Sequence, residues 1–210
     1  MKAAKGVTLL EFMIVIMVIS ILSALLFPSL RIAREKGKTV LCASNLKQIG
    51  YALMMYEKDW PPFLPKACGG CQWGGSKDGW TEQIYPYVQS KGVFKCPSQP
   101  EESMGEFGYF LNSRPAYNNG YDYLRYNIIK DPQRFILAGD CTFKFSRWDC
   151  DKDNYTQQCL FCQGTAHYED NFHLRKNNVL FADGHVKLYS EFRAEEMMIF
   201  YDVEGPWVQP

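Results

Sequence analysis

The chain has 210 residues, enough for one domain or one domain with an appendage. Its 23 basic and 23 acidic side chains cancel, and no basic stripe interleaved with aromatics runs through it, so nothing points to a nucleic-acid partner. Aromatics reach 15% and fall mostly after Trp60, where a compact core can form, while the eight cysteines imply a disulfide framework if the body is exported and metal or redox chemistry if it is cytosolic.

From Val7 to Phe27 nearly every residue is Val, Leu, Ile, Met, Phe, Ala or Ser. About 20 such residues span a bilayer core. The run is too long for a secretory signal, and no Ala-x-Ala site follows it. A small residue precedes it instead: Gly6, after a leader carrying Lys2 and Lys5. Glu11 is the one charge inside the run. A carboxylate at the bilayer centre costs roughly 2.5–3.5 kcal/mol, and less near an end, but it still needs a partner. Cleavage after Gly6 would give Val7 a free ammonium four residues before Glu11, and a helix N-terminus itself favours a negative charge. In one helix that pair is self-contained. In a bundle, Glu11 of one subunit would neutralise the Val7 ammonium of its neighbour and so act as an assembly device.

The stretch KGVTLLE resembles the processing site of type IV pilins and type II secretion pseudopilins. The resemblance implies that a prepilin peptidase cuts after Gly6 and methylates the amine of Val7. It also implies that Glu11 is the family's assembly glutamate and Pro28 its helix proline. Val7 departs from the Phe usual after the cut. The plainer alternative is an uncleaved signal anchor, which the joint presence of Gly6, Glu11 and Pro28 disfavours. Charge bias runs the other way: Arg31, Arg34, Lys36 and Lys38 outnumber Lys2 and Lys5, which alone would leave the body in the cytoplasm. The cleavage signature is the more specific signal.

Past Thr39 the apolar pattern becomes periodic. Cys42, Leu46, Ile49, Leu53 and Tyr56 step by four, three, four and three, one face of an amphipathic helix. Pro61 and Pro62 end it. Pro28 is expected to kink the rod or melt it locally, with Gly37 and Gly50 as weak points. The predicted organisation is a leader at 1–6, a transmembrane segment at 7–30, an amphipathic continuation at 31–59 and an exported cysteine-rich body at 60–210. The stripe would dock on that body.

In the body, PPFLPKACGGCQWGGSKDG reads as a Gly/Pro-rich loop. WTEQIYPYVQ predicts a short helix with Trp80, Ile84 and Val88 inward. FGYFLN and RFILAGDC are strand-like, and NNVLFADGHVKLYS predicts two strands around an Asp183-Gly184 turn. EFRAEEMMIFY predicts a final helix. The expected class is α+β: a long helix packed on a small antiparallel sheet. CASNLKQIGYALMMY, FKCPS, IKDPQRFILAGD and HLRKNNVLFADGH resemble a prepilin-like group of Planctomycetes and Lentisphaerae type, whose H-x9-D-G signature would be His173, Asp183 and Gly184. The likeness leaves about Thr142 to Asp170 unmatched and carries no known chemistry.

Two C-x-x-C pairs occur, Cys68/Cys71 and Cys159/Cys162, beside Cys42, Cys96, Cys141 and Cys150. Four thiolates suit zinc, and C-x-x-C suits redox work, but neither pair opens a helix after a strand. Outside the membrane, disulfides are the default for all eight, and Cys42 with Cys96 is the pairing expected from the portion that resembles the family. Asp149, Asp151 and Asp153 alternate like the start of a calcium loop, so calcium is a candidate ligand. The EF-hand pattern then fails at Asn154 and Leu160. His173 has no evident nucleophile beside it and reads as a structural hydrogen-bonding residue near the Asp183-Gly184 turn, where Gly184 supplies positive φ. No nucleophile elbow or phosphate loop is present.

The expectation is a non-enzymatic pilin or pseudopilin subunit. It would insert as a single-pass protein in the inner membrane, meet a prepilin peptidase and N-methylase, and assemble into a homo-oligomeric or mixed filament in the periplasm or at the cell surface. The alternative is a membrane-tethered exported module that uses its thiols or binds zinc.

Overall fold

The computed structural model describes residues 8–66, 79–98, 107–112, 123–140, 172–191, 193 and 195–198. Helix α1 spans Leu9–Asp59. It opens on a capping box: Thr8 donates its backbone N–H and its hydroxyl to Glu11 Oε2, each at 2.8 Å, and accepts the Glu11 N–H on Oγ1 at 3.3 Å. Every residue from Leu9 to Asp59 is α-helical, including Pro28, Gly37 and Gly50. The local melting expected at Pro28 does not occur. An internal proline removes one N–H and crowds the preceding turn, yet the helix continues through it.

The chain divides into two compact units, Met1–Gly37 and Lys38–Pro210. The second half of α1 therefore belongs to the body, because its stripe is buried there. Cys42, Leu46, Ile49 and Leu53 are fully buried, and Tyr56 packs at the edge of the same core. In the first unit the long apolar side chains from Leu9 to Ile32 are exposed, on a helix long and apolar enough to cross a membrane.

The body carries a four-stranded antiparallel sheet and a two-stranded one. The larger has the order β2-β4-β5-β6, from Tyr109–Leu111 (β2), Ile136–Asp140 (β4), Asn177–Phe181 (β5) and Val186–Tyr189 (β6). The central strands β4 and β5 are buried at every residue, which explains their continuous apolar runs. Strand alternation sends Tyr109, Leu111 and Leu180 to the core that includes the α1 stripe, and Phe110, Val179 and Phe181 to the opposite face. β5 and β6 form the expected hairpin, with Gly184 at φ +88° in the turn. A Cβ there would also lie 2.9 Å from Met54 Cε.

Helix α2 spans Trp80–Val88 and buries Trp80, Thr81 and Ile84. Two differences from the sequence reading stand out. Phe63–Lys66 is not loop but strand β1, antiparallel to β3, Tyr123–Arg125. Pro65 hides it from pattern reading, since proline is tolerated only in such edge positions. The Gln83 side chain of α2 completes that edge, accepting from Lys66 N–H and donating to Lys66 C=O, both at 3.0 Å. The final helix is absent among the described residues. Glu195 and Glu196 lie in a turn, and Met198 bridges to Phe135 in parallel, with Ile136 N–H donating to Met198 C=O at 2.8 Å. The buried backbone edge of β4 outcompetes local helix propensity here.

Gly139 faces the tightest packing in the sheet: a Cβ would meet Phe110 Cε1 at 2.9 Å and the Asn178 carbonyl at 3.0 Å. Gly139→Ala is expected to destabilise the chain by about 1–3 kcal/mol. Gly92→Ala, whose nearest neighbour would be Ser90 Oγ at 3.7 Å, should shift the midpoint little. Denaturation of both variants in detergent checks the pair.

Candidate functional site

Four elements of the body converge on one polar cluster inside the apolar core. Cys42 is the first buried member of the α1 stripe. Cys96 lies between the 3-10 helix Lys91–Phe94 and a turn at Pro97 and Ser98. Asp140 is the last residue of β4. His173 lies in a short turn, Phe172–Arg175, ahead of β5. Sheet register sets the carboxylate in place. Tyr109 pairs with Asp140 across β2–β4, and Gly139 with Val179 across β4–β5, which lays Asn178 beside Asp140.

All four side chains are essentially withdrawn from solvent. The sulfurs of Cys42 and Cys96 are free thiols 3.2 Å apart. Cys42 donates to Asp140 Oδ1 at 2.8 Å and lies 3.0 Å from the Tyr109 hydroxyl. His173 Nε2 is 3.3 Å from Cys96 Sγ and 3.5 Å from Asp140 Oδ2. Its other nitrogen, Nδ1, lies 3.1 Å from Thr39 Oγ1 and 3.2 Å from Ser98 Oγ. Asp140 Oδ2 accepts from the Asn178 backbone N–H at 2.6 Å and from Asn178 Nδ2 at 3.0 Å. Asn45 holds the Tyr109 hydroxyl at 3.3 Å and the Lys95 carbonyl at 3.2 Å.

The proton distribution follows from this geometry. Burial, then the bond to Cys96, pushes the Cys42 thiol up. The same bond, received by Cys96 and reinforced by His173 and the Ser98 backbone, holds the Cys96 thiol down at about 5 against its own burial. Burial, then the negative sulfur of Cys96, raises the Asp140 carboxyl to about 7, opposed by His173, Cys42 and Asn178. Burial also raises the Tyr109 phenol. The cluster therefore favours a thiolate on Cys96 and a thiol on Cys42.

His173 and Leu174 both have left-handed backbone, at φ +55° and +59°. For non-glycine residues that conformation costs roughly 1–2 kcal/mol each. Its effect is to turn the imidazole inward while Leu174 stays half exposed. Such strain persists where surrounding contacts fix it.

The sequence-predicted residues distribute unevenly. Cys42, Cys96 and His173 come together. The partners of His173 in the cluster are Thr39, Ser98, Cys96 and Asp140, whereas the turn expected to receive it is held otherwise: Asp183 Oδ1 accepts the His185 backbone N–H at 3.0 Å and meets its Nδ1 at 2.6 Å. Glu11 caps α1, and Pro28 lies inside it. Gly6, Val7, Cys68, Cys71, Cys141, Cys150, Cys159 and Cys162 lie outside the described residues, as do the calcium candidates Asp149, Asp151 and Asp153. Sequence reading missed Asp140, Asn178, Tyr109 and Thr39. The available signal was Asp140 itself, a carboxylate closing the apolar run ILAG, since an unpaired charge is rarely buried.

Residues 1–27 match the prokaryotic N-terminal methylation motif. Residues 31–95 match the family described as a protein of unknown function (DUF1559). No curated protein and no solved structure matches the chain. The chain is thus pilin-like at its N-terminus and continues directly into the second match, which contains Cys42 and stops one residue before Cys96.

Two substitutions test the cluster's energetics. Asp140→Ala would orphan the Asn178 and Cys42 donors and is expected to cost about 3 kcal/mol or more. Leu174→Asn, at a half-exposed position where asparagine tolerates left-handed backbone, should stabilise by about 1 kcal/mol. Denaturant midpoints of the full chain read both.

Proposed function

We propose that this pilin-like chain, carrying the prokaryotic N-terminal methylation motif at 1–27, is a structural filament subunit rather than a catalyst. It inserts in the inner membrane through the first half of α1, is cut after Gly6 and methylated on Val7 by a prepilin peptidase, and then joins a type IV pilus-like or type II secretion-like filament. The filament stands in the periplasm or at the cell surface, built from copies of this chain alone or with other pilins.

The observation that carries this reading is the conjunction of the matched motif with a helix half whose apolar side chains lie exposed among the described residues. The long apolar side chains from Leu9 to Ile32 are exposed around the whole helix. Exposed apolar surface on that scale marks a membrane or an assembly interface. Before assembly lipid covers it; in a filament the same surface of neighbouring subunits does. Glu11 would then face the methylated Val7 ammonium of an adjacent copy.

The capping box separates two roles that a single Glu11→Ala variant would confuse. Glutamine serves a capping box as glutamate does, so Glu11→Gln keeps the helix start and removes the charge. Membrane insertion should survive in both variants and filament growth should fail in both. Normal filaments from Glu11→Gln would leave the carboxylate only a capping role.

Processing is tested by mass analysis of the assembled fraction. The expected N-terminus is Val7 with one added methyl group. Met1 retained on assembled protein would overturn the reading and favour the membrane-tethered module.

A further inference from the structure

We propose that Cys42, Cys96, Asp140 and His173 form a closed structural site for one zinc-class divalent metal ion, which fastens the second half of α1 to the sheet of the body. Neither the methylation motif nor the filament role calls for a metal, and the four residues are distinct from the C-x-x-C pairs of the sequence.

The donor set is the first argument. One ligand atom from each of the four residues can be chosen so that all lie within 4.8 Å of one another. Two sulfurs, an imidazole nitrogen and a carboxylate oxygen are donors zinc accepts, at about 2.0–2.3 Å each, which places tetrahedral donors about 3.3–3.8 Å apart. The Cys96–His173 edge, at 3.3 Å, already has that span, and His173 Nε2 lies 3.5 Å from the other oxygen of the Asp140 carboxylate, Oδ2. The Cys42–Asp140 edge, at 2.8 Å, is drawn in by the S–H of Cys42, and the Cys42–Cys96 edge stands at 3.2 Å. Metal binding replaces that proton, which leaves to solvent, and opens both edges.

The outer partners are the second argument. A ligating histidine is oriented through its other nitrogen, and His173 Nδ1 is held between the hydroxyls of Thr39 and Ser98. Asn178 occupies Asp140 Oδ2 twice and leaves Oδ1 turned to Cys42. The left-handed turn at His173 and Leu174 aims the imidazole at backbone expense.

Charge is the third argument. A carboxylate and two sulfurs in an apolar core are costly to ionise together, and a divalent cation offsets the repulsion. Oxidation to a Cys42–Cys96 disulfide would instead remove the only S–H that Asp140 Oδ1 receives in the described cluster and leave His173 and Asp140 unused. With all four donors buried no position is left open to a substrate, so the site is structural.

The test uses the full chain purified in detergent from the membrane fraction. Elemental analysis should give one zinc per chain, and zinc-edge X-ray absorption a shell of two sulfurs and two nitrogen or oxygen atoms. Cobalt exchange should give thiolate charge-transfer and tetrahedral bands. Those bands should disappear in Cys96→Ser and persist in Asn45→Ala, which alters a neighbour but no ligand. Metal-free protein with a Cys42–Cys96 disulfide, or a four-sulfur shell placing the metal at the C-x-x-C pairs, would overturn the proposal. Both of those readouts come from the unaltered chain, so they decide even if Cys96→Ser fails to fold. The filament role would survive either result.

Discussion

The body depends on one contact: the α1 stripe shut against the sheet. Gly50 makes the approach close enough, since a Cβ there would lie 3.0 Å from Leu180 Cδ1. Leu46, Ile49 and Leu53 fill the same seam without exposed area. At about 1.5–3 kcal/mol for each large apolar side chain fully buried, this seam is among the largest favourable contributions in the body. It also fixes where Cys42 sits, one turn before Leu46 and directly over the end of β4.

A polar knot in such a core carries a penalty unless its groups satisfy one another. Here satisfaction is nearly reciprocal: Asn178 and Cys42 serve Asp140, Thr39 and Ser98 serve His173, and Asn45 serves Tyr109. Because the donors come from α1, β4, β5 and two connecting turns, displacement of any one of these elements strands partners on the others. The knot thus enforces a single docking register on a helix whose apolar stripe alone would tolerate sliding by a turn. That closed core position also keeps both sulfurs, the carboxylate and the imidazole withdrawn from solvent.

Periodicity made the α1 stripe, α2 and the β5–β6 hairpin readable, since each follows a single period with clear stops. It failed where structure is decided elsewhere in the chain. β1 is a strand because Tyr123–Arg125 and Gln83 pair with it, although Pro65 argues locally against it. Met198 joins β4 because the edge at Phe135 and Ile136 is open to it. At the site, Cys42, Cys96 and His173 could be singled out as residue types, but their meeting with Asp140 depends on sheet register and a left-handed turn, which no spacing rule encodes. The capping box at Thr8 is legible as T-x-x-E, and its glutamate serves the helix start as well as carrying charge.

The four members of the knot are scattered from position 42 to position 173. A chain made from its N-terminal end presents Cys42 first and His173 long afterwards. Until nearly five-sixths of the polypeptide has been made, the knot is missing its last member. The seam between helix and sheet is therefore locked late, and a chain truncated before His173 would leave it unlocked.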